Sequence, residues 1–232
     1  MDFNKTSDGS GLCQEVDGIC GTNTTSYPLV DKARRANMAL SRFVGLVLSS
    51  DNRWQFDDTN YTDLPIGTTN LVSGQGDYSL ATSMLKILKV EMLDSNGDLT
   101  TLQPIDITDQ SEPLESIGTS GTPKYYDKHA TSVILYPTPN YNSTNGLKVY
   151  YQRDASYFVS TDTTKKAGIP SIFHEYIALK MAEPYIRDKS KDNYVSIRNE
   201  ITKYEEERIP EFYAKRNKDE RAILTGKVID YN

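Results

Sequence analysis

The sequence predicts an α+β fold in which a helical bundle built from N-terminal and C-terminal segments carries an inserted antiparallel β-sandwich or barrel-like domain. Three observations predict it. Helical periodicity runs from Leu29 to Leu48, strand-like alternation and turn signals fill the stretch from Asn52 to Asp162, and helical periodicity returns at Pro170. Each helical part has one apolar stripe and needs a partner to cover it, so pairing the two across the insertion is the economical solution. The expected organisation is a flexible arm over 1–28, a first bundle helix over 29–50, an inserted β domain over 51–165, C-terminal bundle helices over 166–209 and an extended tail over 210–232.

The arm contains Gly9, Gly11, Gly18 and Gly21 among Ser, Thr, Asp and Asn, a composition with no core of its own. Pro28 then opens the first helix, where Leu29, Ala33, Ala36, Leu40, Phe43 and Val47 recur at steps of three and four. Arg34, Arg35 and Arg42 lie largely off that stripe. Asp51-Asn52 marks its stop. Arg53-Trp54-Gln55-Phe56 reads as the hinge into the β domain.

In the middle, Leu88, Val90 and Met92 alternate with Lys89 and Glu91, as in a strand with one buried face. Ser95-Asn96-Gly97-Asp98 is a hairpin signal, because Asn and Gly both tolerate positive φ, and Leu99 to Leu102 is the return strand. A second pair is expected from Val133–Tyr136 and Leu147–Tyr151, and Asn70–Leu80 adds an extended stretch around Gly74 and Gly76. Thr161–Gly168 is a polar linker. Ser171 reads as the N-cap of the next helix, which Pro184 should end or kink. Tyr194, Ile197, Ile201 and Tyr204 give a further stripe opposite a solvated face holding Arg198, Glu200, Lys203 and Glu205–Arg208. After Pro210 the chain is highly charged, then apolar again at Ile223, Leu224, Val228, Ile229 and Tyr231, too little for a core.

Composition excludes more than it selects. A net charge of −6 and a pI near 5.1 argue against a protein that binds nucleic acid by neutralising phosphates. No apolar run reaches membrane-spanning length, and Met1–Lys5 lacks the hydrophobic stretch of a signal peptide. The Asn-x-Ser/Thr matches at Asn4, Asn23, Asn60 and Asn142 are accordingly read as accidents of a Thr- and Asn-rich chain. Cys13 and Cys20 are read as free thiols, since two sulfurs alone make no zinc site. The 16 tyrosines have two readings, interface residues or good strand formers, and both stay open.

No catalytic constellation emerges. Asp94–Asp98 begins like a calcium loop, but Leu99 stands where its glycine belongs and Ile105 where its glutamate belongs. His174-Glu175 begins a zinc-protease motif, but the second histidine position is Ala178, so His174 is read as a helix-surface or interface residue. Asp57, Asp58 and Asp63 near Trp54 could pair as acid and base, although carboxylates in a polar loop ordinarily cap turns. The chain is expected to be no enzyme and to need no cofactor or metal. A carbohydrate-binding module is the alternative, on the aromatic pairs Tyr125-Tyr126 and Tyr150-Tyr151.

Several segments together resemble a known family: the Leu29–Asn37 helix leading into Asp51–Asp58, then Asp63–Leu71, Gln75–Leu80 and Gly168–Tyr176. They are similar to the head-to-tail adaptor, or connector, proteins of tailed bacteriophages, especially short-tailed and crAss-like phages, over residues 29–205. The resemblance implies a structural virion protein made in the host cytoplasm and placed at the neck between capsid and tail. There it would form a twelve-fold ring that binds the portal protein and tail, nozzle or further ring proteins. Subunits would contact copies of themselves, DNA would pass through the channel without sequence-specific binding, and no membrane would be involved. It further implies that the C-terminal tail reaches the portal. On that basis Ile223, Leu224, Val228, Ile229 and Tyr231 are the expected portal-binding residues, docking by adding a strand to an edge.

Overall fold

The computed structural model describes residues 1–50, 58–105, 119–189 and 191–219. The fold is α+β with an inserted β domain, and the chain divides into two units, Met1–Asn60 with Ala155–Asn232, and Tyr61–Asp154. The inserted unit is therefore shorter at both ends than the expected 51–165. The reason lies in residues 155–165, whose Phe158 is buried and stacked on Phe3 of the helical unit, with ring centroids 4.7 Å apart.

In the helical unit, α1 (Leu12–Cys20) and α2 (Leu29–Ser50) precede the insertion. α3 (His174–Lys189), α4 (Lys191–Lys203), a π-turn (Tyr204–Arg208) and α5 (Ile209–Asp219) follow it. The predicted stripe of α2 is its inner face: Ala33, Ala36, Leu40, Phe43 and Val47 are all buried. The 1–28 stretch is not a coreless arm. It forms α1, which packs on α3 and buries Leu12, Cys13 and Val16, while Phe3 is fully enclosed. Its glycines serve this course: Gly21 takes the left-handed conformation (φ 63°) that ends α1, and a Cβ on Gly11 would collide with the Lys5 backbone nitrogen.

Lys32, the one charged residue on the inner face of α2, is fully buried. Its ammonium donates to both carboxylate oxygens of Asp17 at 2.6 and 2.7 Å, tying α1 to α2.

Three expectations for the C-terminal helices change. Ser171 caps nothing; Pro170 precedes a 3₁₀ turn (Ser171–Phe173) that runs into α3 without a side-chain cap. Pro184 does not end α3, which continues to Lys189; the apolar anchors Met181, Ala182 and Ile186 on either side bury well enough to carry the helix past the missing donor. The tail expected from 210 begins as helix. Pro210 sits just after a π-turn, and α5 buries Ile209 and Tyr213, the latter edge-on to Phe43 at 6.0 Å.

In the inserted unit, nine strands form among the described residues: β1 (Ile66–Leu71), β2 (Asp77–Ser79), β3 (Met84–Leu93), β4 (Leu99–Pro104), β5 (Ser120–Gly121), β6 (Tyr125–His129), β7 (Ser132–Tyr136), β8 (Thr138–Pro139) and β9 (Ser143–Arg153). Seven make one curled mixed sheet in the order β1-β9-β3-β4-β6-β7-β2, antiparallel except for β4 with β6; β5 and β8 pair separately. The curl lets Leu71 near one edge and Tyr78 at the other share a core with Val90, Met92, Leu102, Leu135 and Val149. The β3–β4 hairpin forms where predicted: Leu93 opposes Leu99, and Asp94 Oδ1 accepts the N–H groups of Asn96 and Asp98 around Gly97 (φ 85°).

Two strand readings are corrected. β7 does not pair with β9: β7 lies between β6 and β2, while β9 is held on its two edges by β1 and β3. Leu88 does not join the buried face. A bulge in the pairing with β9 between Ile87 and Lys89 inserts one extra residue, so Ile87 packs on the core and Leu88 points out, 44% exposed.

Candidate functional site

An apolar groove of about 870 Å³ lies in the helical unit, between α2 and the segment 157–160. Its floor and walls come from Val30, Arg34, Met38, Tyr157 and Val159, with Asn37 and Phe158 at the base. Asn37 fixes the segment to the helix: its Nδ2 donates to the Phe158 carbonyl and its Oδ1 accepts the Phe158 N–H. The Tyr157 hydroxyl lies 3.1 Å from Ser41 Oγ, and the Val159 N–H donates to Asp162, closing a turn beyond the groove. With the segment held this way, apolar side chains of both walls stay in water: Val30 of α2 is 67% exposed and Met38 58%, and Val159 of the segment is 56% exposed. Exposed apolar residues clustered in one groove are unusual for a surface that stays bare. The charged side chain on its lining, Arg34, is paired with Asp31 at 2.8 Å.

A second feature is a part-buried polar junction beneath the π-turn. Glu205 accepts from the Tyr176 hydroxyl (3.1 Å) and from Arg42 (3.0 Å), with Lys180 Nζ at 3.6 Å. Burial acts to raise the Glu205 carboxyl pKa, but the Arg42 bond, the Lys180 charge and the Tyr176 bond outweigh it and hold it below the usual range. Glu183, similarly balanced between burial and its bonds to Lys180 and Arg198, is also held down. Burial, then Glu205 itself, pushes the Tyr176 hydroxyl far up. These groups are locked to one another, a structural junction rather than a poised acid and base.

Glu205 reads from sequence as part of a solvated run. The signal that corrects this is in the stripe: Tyr194, Ile197, Ile201 and Tyr204 step by three and four, but the next buried residue is Ile209, five positions on. That step is the period of a π-turn, and it swings Glu205 inward while leaving Glu206 and Glu207 exposed.

His174 is not a surface residue. It is buried at the start of α3, its Nε2 3.1 Å from the Ile169 carbonyl and its Nδ1 2.6 Å from the Met1 amino group. Burial, then the neighbouring amino charge, lowers its pKa. Cys13 and Cys20 are free thiols, pushed up by burial to about 12 and about 11. Asp63 pairs with Arg153, whose guanidinium stacks on Tyr61 at 3.7 Å; Trp54, Asp57 and the hinge lie outside the described residues. No group of three or more His, Cys, Asp or Glu among the described residues could hold a metal ion, and no helix there is long and apolar enough to cross a membrane.

All four tyrosines of the two pairs are half-buried. Tyr126 packs on the sheet core, and Tyr150 donates to the buried Glu91, which also pairs with Lys89. Ile223, Leu224, Val228, Ile229 and Tyr231 lie outside the described residues.

A search of curated proteins finds no match. The family model described as SU10 adaptor protein matches residues 22–222, which span α2, the whole inserted sheet, the groove and the junction under the π-turn. With that match over most of its length, the chain belongs to the SU10 adaptor protein family and is a bacteriophage head-to-tail adaptor, a structural protein of the virion neck.

Proposed function

We propose that this adaptor assembles into a closed ring, dodecameric as in the resemblance above, that joins the capsid portal to the tail and continues the DNA channel. It works by docking, with no catalytic step. The observation that carries this reading is the rigidly built, water-exposed apolar groove on the helical unit of a chain in an adaptor family. A closed ring needs heterologous contacts, in which one patch of each subunit meets a different patch of the next. The acidic balance of −6 suits a conduit that DNA slides past without adhering. Residues Ile223, Leu224, Val228, Ile229 and Tyr231 are the proposed portal-binding set, since they form a short apolar alternation after a charged stretch.

The test mixes the protein with its phage's portal ring and reads the product by negative-stain microscopy and mass photometry. A ring capping one portal face supports the reading, and a protein that stays monomeric and unbound overturns it. Deleting 222–232 should abolish portal capture while leaving the far-ultraviolet circular dichroism unchanged; undiminished capture would remove the tail from the mechanism.

A further inference from the structure

We infer that the open edge of the inserted sheet, strand β1, pairs with the same edge of a second copy, so that the free protein associates as two-fold dimers before it meets other neck proteins. The contact is independent of the ring reading above.

β1 lies at one end of the sheet and pairs on one side only, with β9. The Tyr151 N–H donates to the Pro65 carbonyl at 3.1 Å. In an antiparallel ladder the backbone groups of alternate residues face opposite sides, so positions 65, 67 and 69 face β9 while Ile66, Thr68 and Asn70 turn theirs outward. The Ile66 N–H is taken by the Leu64 carbonyl. That leaves the Ile66 carbonyl and both backbone groups of Thr68 and Asn70 along the outer edge, where Thr68, Thr69 and Asn70 are exposed. The opposite edge is guarded: β2 has three residues and begins with the charged Asp77, and Gln75 Nε2 donates to the Asp77 carbonyl at 2.9 Å. Short length, charge and a covering side chain are ordinary defences of an edge, and β1, six residues long, has none of them among the described residues.

The edge is matched to its own copy. Residues 64–72 carry no charged side chain, so two such edges do not repel each other. Antiparallel pairing about a two-fold axis at Thr68 sets Thr68 against Thr68, Ile66 against Asn70 and Leu64 against Val72. The two Thr68 residues then exchange N–H and carbonyl bonds, and each Asn70 N–H donates to the Ile66 carbonyl of the second copy. At both ends Leu64, 69% exposed, covers Val72, 43% exposed, two apolar side chains that otherwise stay in water. A patch that is its own complement gives an isologous dimer. A contact between two strands of this length buries less than roughly 1,200 Å², so the dimer is weak and concentration-dependent. A two-fold contact also closes on itself and cannot run round a ring, so subunits on the portal do not need it.

Sedimentation velocity of the full-length protein from roughly 10 μM to about 1 mM should show monomer passing to dimer and nothing larger. Thr68→Pro removes an outward N–H and leaves the bonds to β9; it should weaken the dimer about tenfold or more with an unchanged circular dichroism melt. Thr68→Lys and Thr68→Glu should each remain monomeric alone and form a one-to-one heterodimer when mixed, because position 68 meets itself only in the two-fold pairing. Wild type that stays monomeric throughout, a dimer that survives Thr68→Pro, or Lys and Glu variants that ignore each other overturns the inference. Thr68→Pro should still form rings on the portal as wild type does. Rings lost only in that variant would assign the edge to the ring and overturn the free dimer, whereas a wild-type chain that makes no ring overturns the ring reading alone.

Discussion

The side-chain amide of Asn37 is hydrogen-bonded to both backbone groups of Phe158, donating to its carbonyl at 2.9 Å and accepting its N–H at 2.8 Å across 121 positions of sequence. One amide thus satisfies both backbone groups of Phe158, and it holds Tyr157 and Val159 as the wall of the groove.

Asn37→Ala removes both bonds and strands two part-buried backbone groups, at a cost of about 2 kcal/mol. Asn37→Asp keeps the acceptor but sets a carboxylate against the Phe158 carbonyl, and should cost at least as much. Urea unfolding measures both; an Asp variant as stable as wild type would show that the clamp does not hold in solution.

Asp17→Ala leaves the fully buried Lys32 ammonium without its carboxylate, and should destabilise by about 3 to 5 kcal/mol. Lys32→Met, which removes the charge and keeps the volume, should cost clearly less. Thermal melts of the two variants compared side by side decide the matter.

Deleting Glu206 converts the five-residue step between Tyr204 and Ile209 to four and asks the helix to continue in α register. Ile209 and Tyr213 keep their burial only if α5 rotates, and Arg208 otherwise takes an inner position. The deletion should destabilise by roughly 3 kcal/mol or more, the burial of two large side chains, whereas Glu206→Ala should be near neutral. Equal effects from the two changes would mean the π-turn is incidental.

Acid should weaken the helical unit. His174 is depressed below its ordinary 6.5, so as pH falls below 6.5 the unfolded chain binds the proton first and stability drops. Above 6.5 the ring is neutral in both states and its contribution is complete. Glu183 and Glu205, also depressed, add a second loss as pH falls below their ordinary 4.5. Unfolding free energy followed from pH 7.5 to 5 should fall more steeply in wild type than in His174→Gln; parallel curves would exclude the histidine.

Both thiols, raised by burial to about 12 and about 11, should resist alkylation at pH 8 in native protein and react at once in urea. Rapid native labelling of Cys13 would mean that α1 opens from α3.

The sequence by itself determined what depends on near neighbours. The stripe of Leu29–Val47, the Asn96-Gly97 turn and the helical return at Pro170 are local patterns of period and backbone tolerance, and they specify the elements wherever the chain goes. The π-turn left a trace in the spacing of Tyr204, Ile209 and Tyr213, but only their shared burial in the folded chain turns that spacing into an extra residue absorbed by one widened turn. The tertiary structure decided what depends on distant partners. α1 is helical because Leu12, Cys13 and Val16 have α3 to pack against, β9 abandons β7 because β1 and β3 occupy both its edges, and Leu88 faces water because a bulge against β9 shifts the alternation. The groove belongs to this second class. Its wall exists only because Asn37 meets Phe158, a hydrogen-bonded pair that no periodicity records, since side-chain bonds between remote segments form only after the chain has folded.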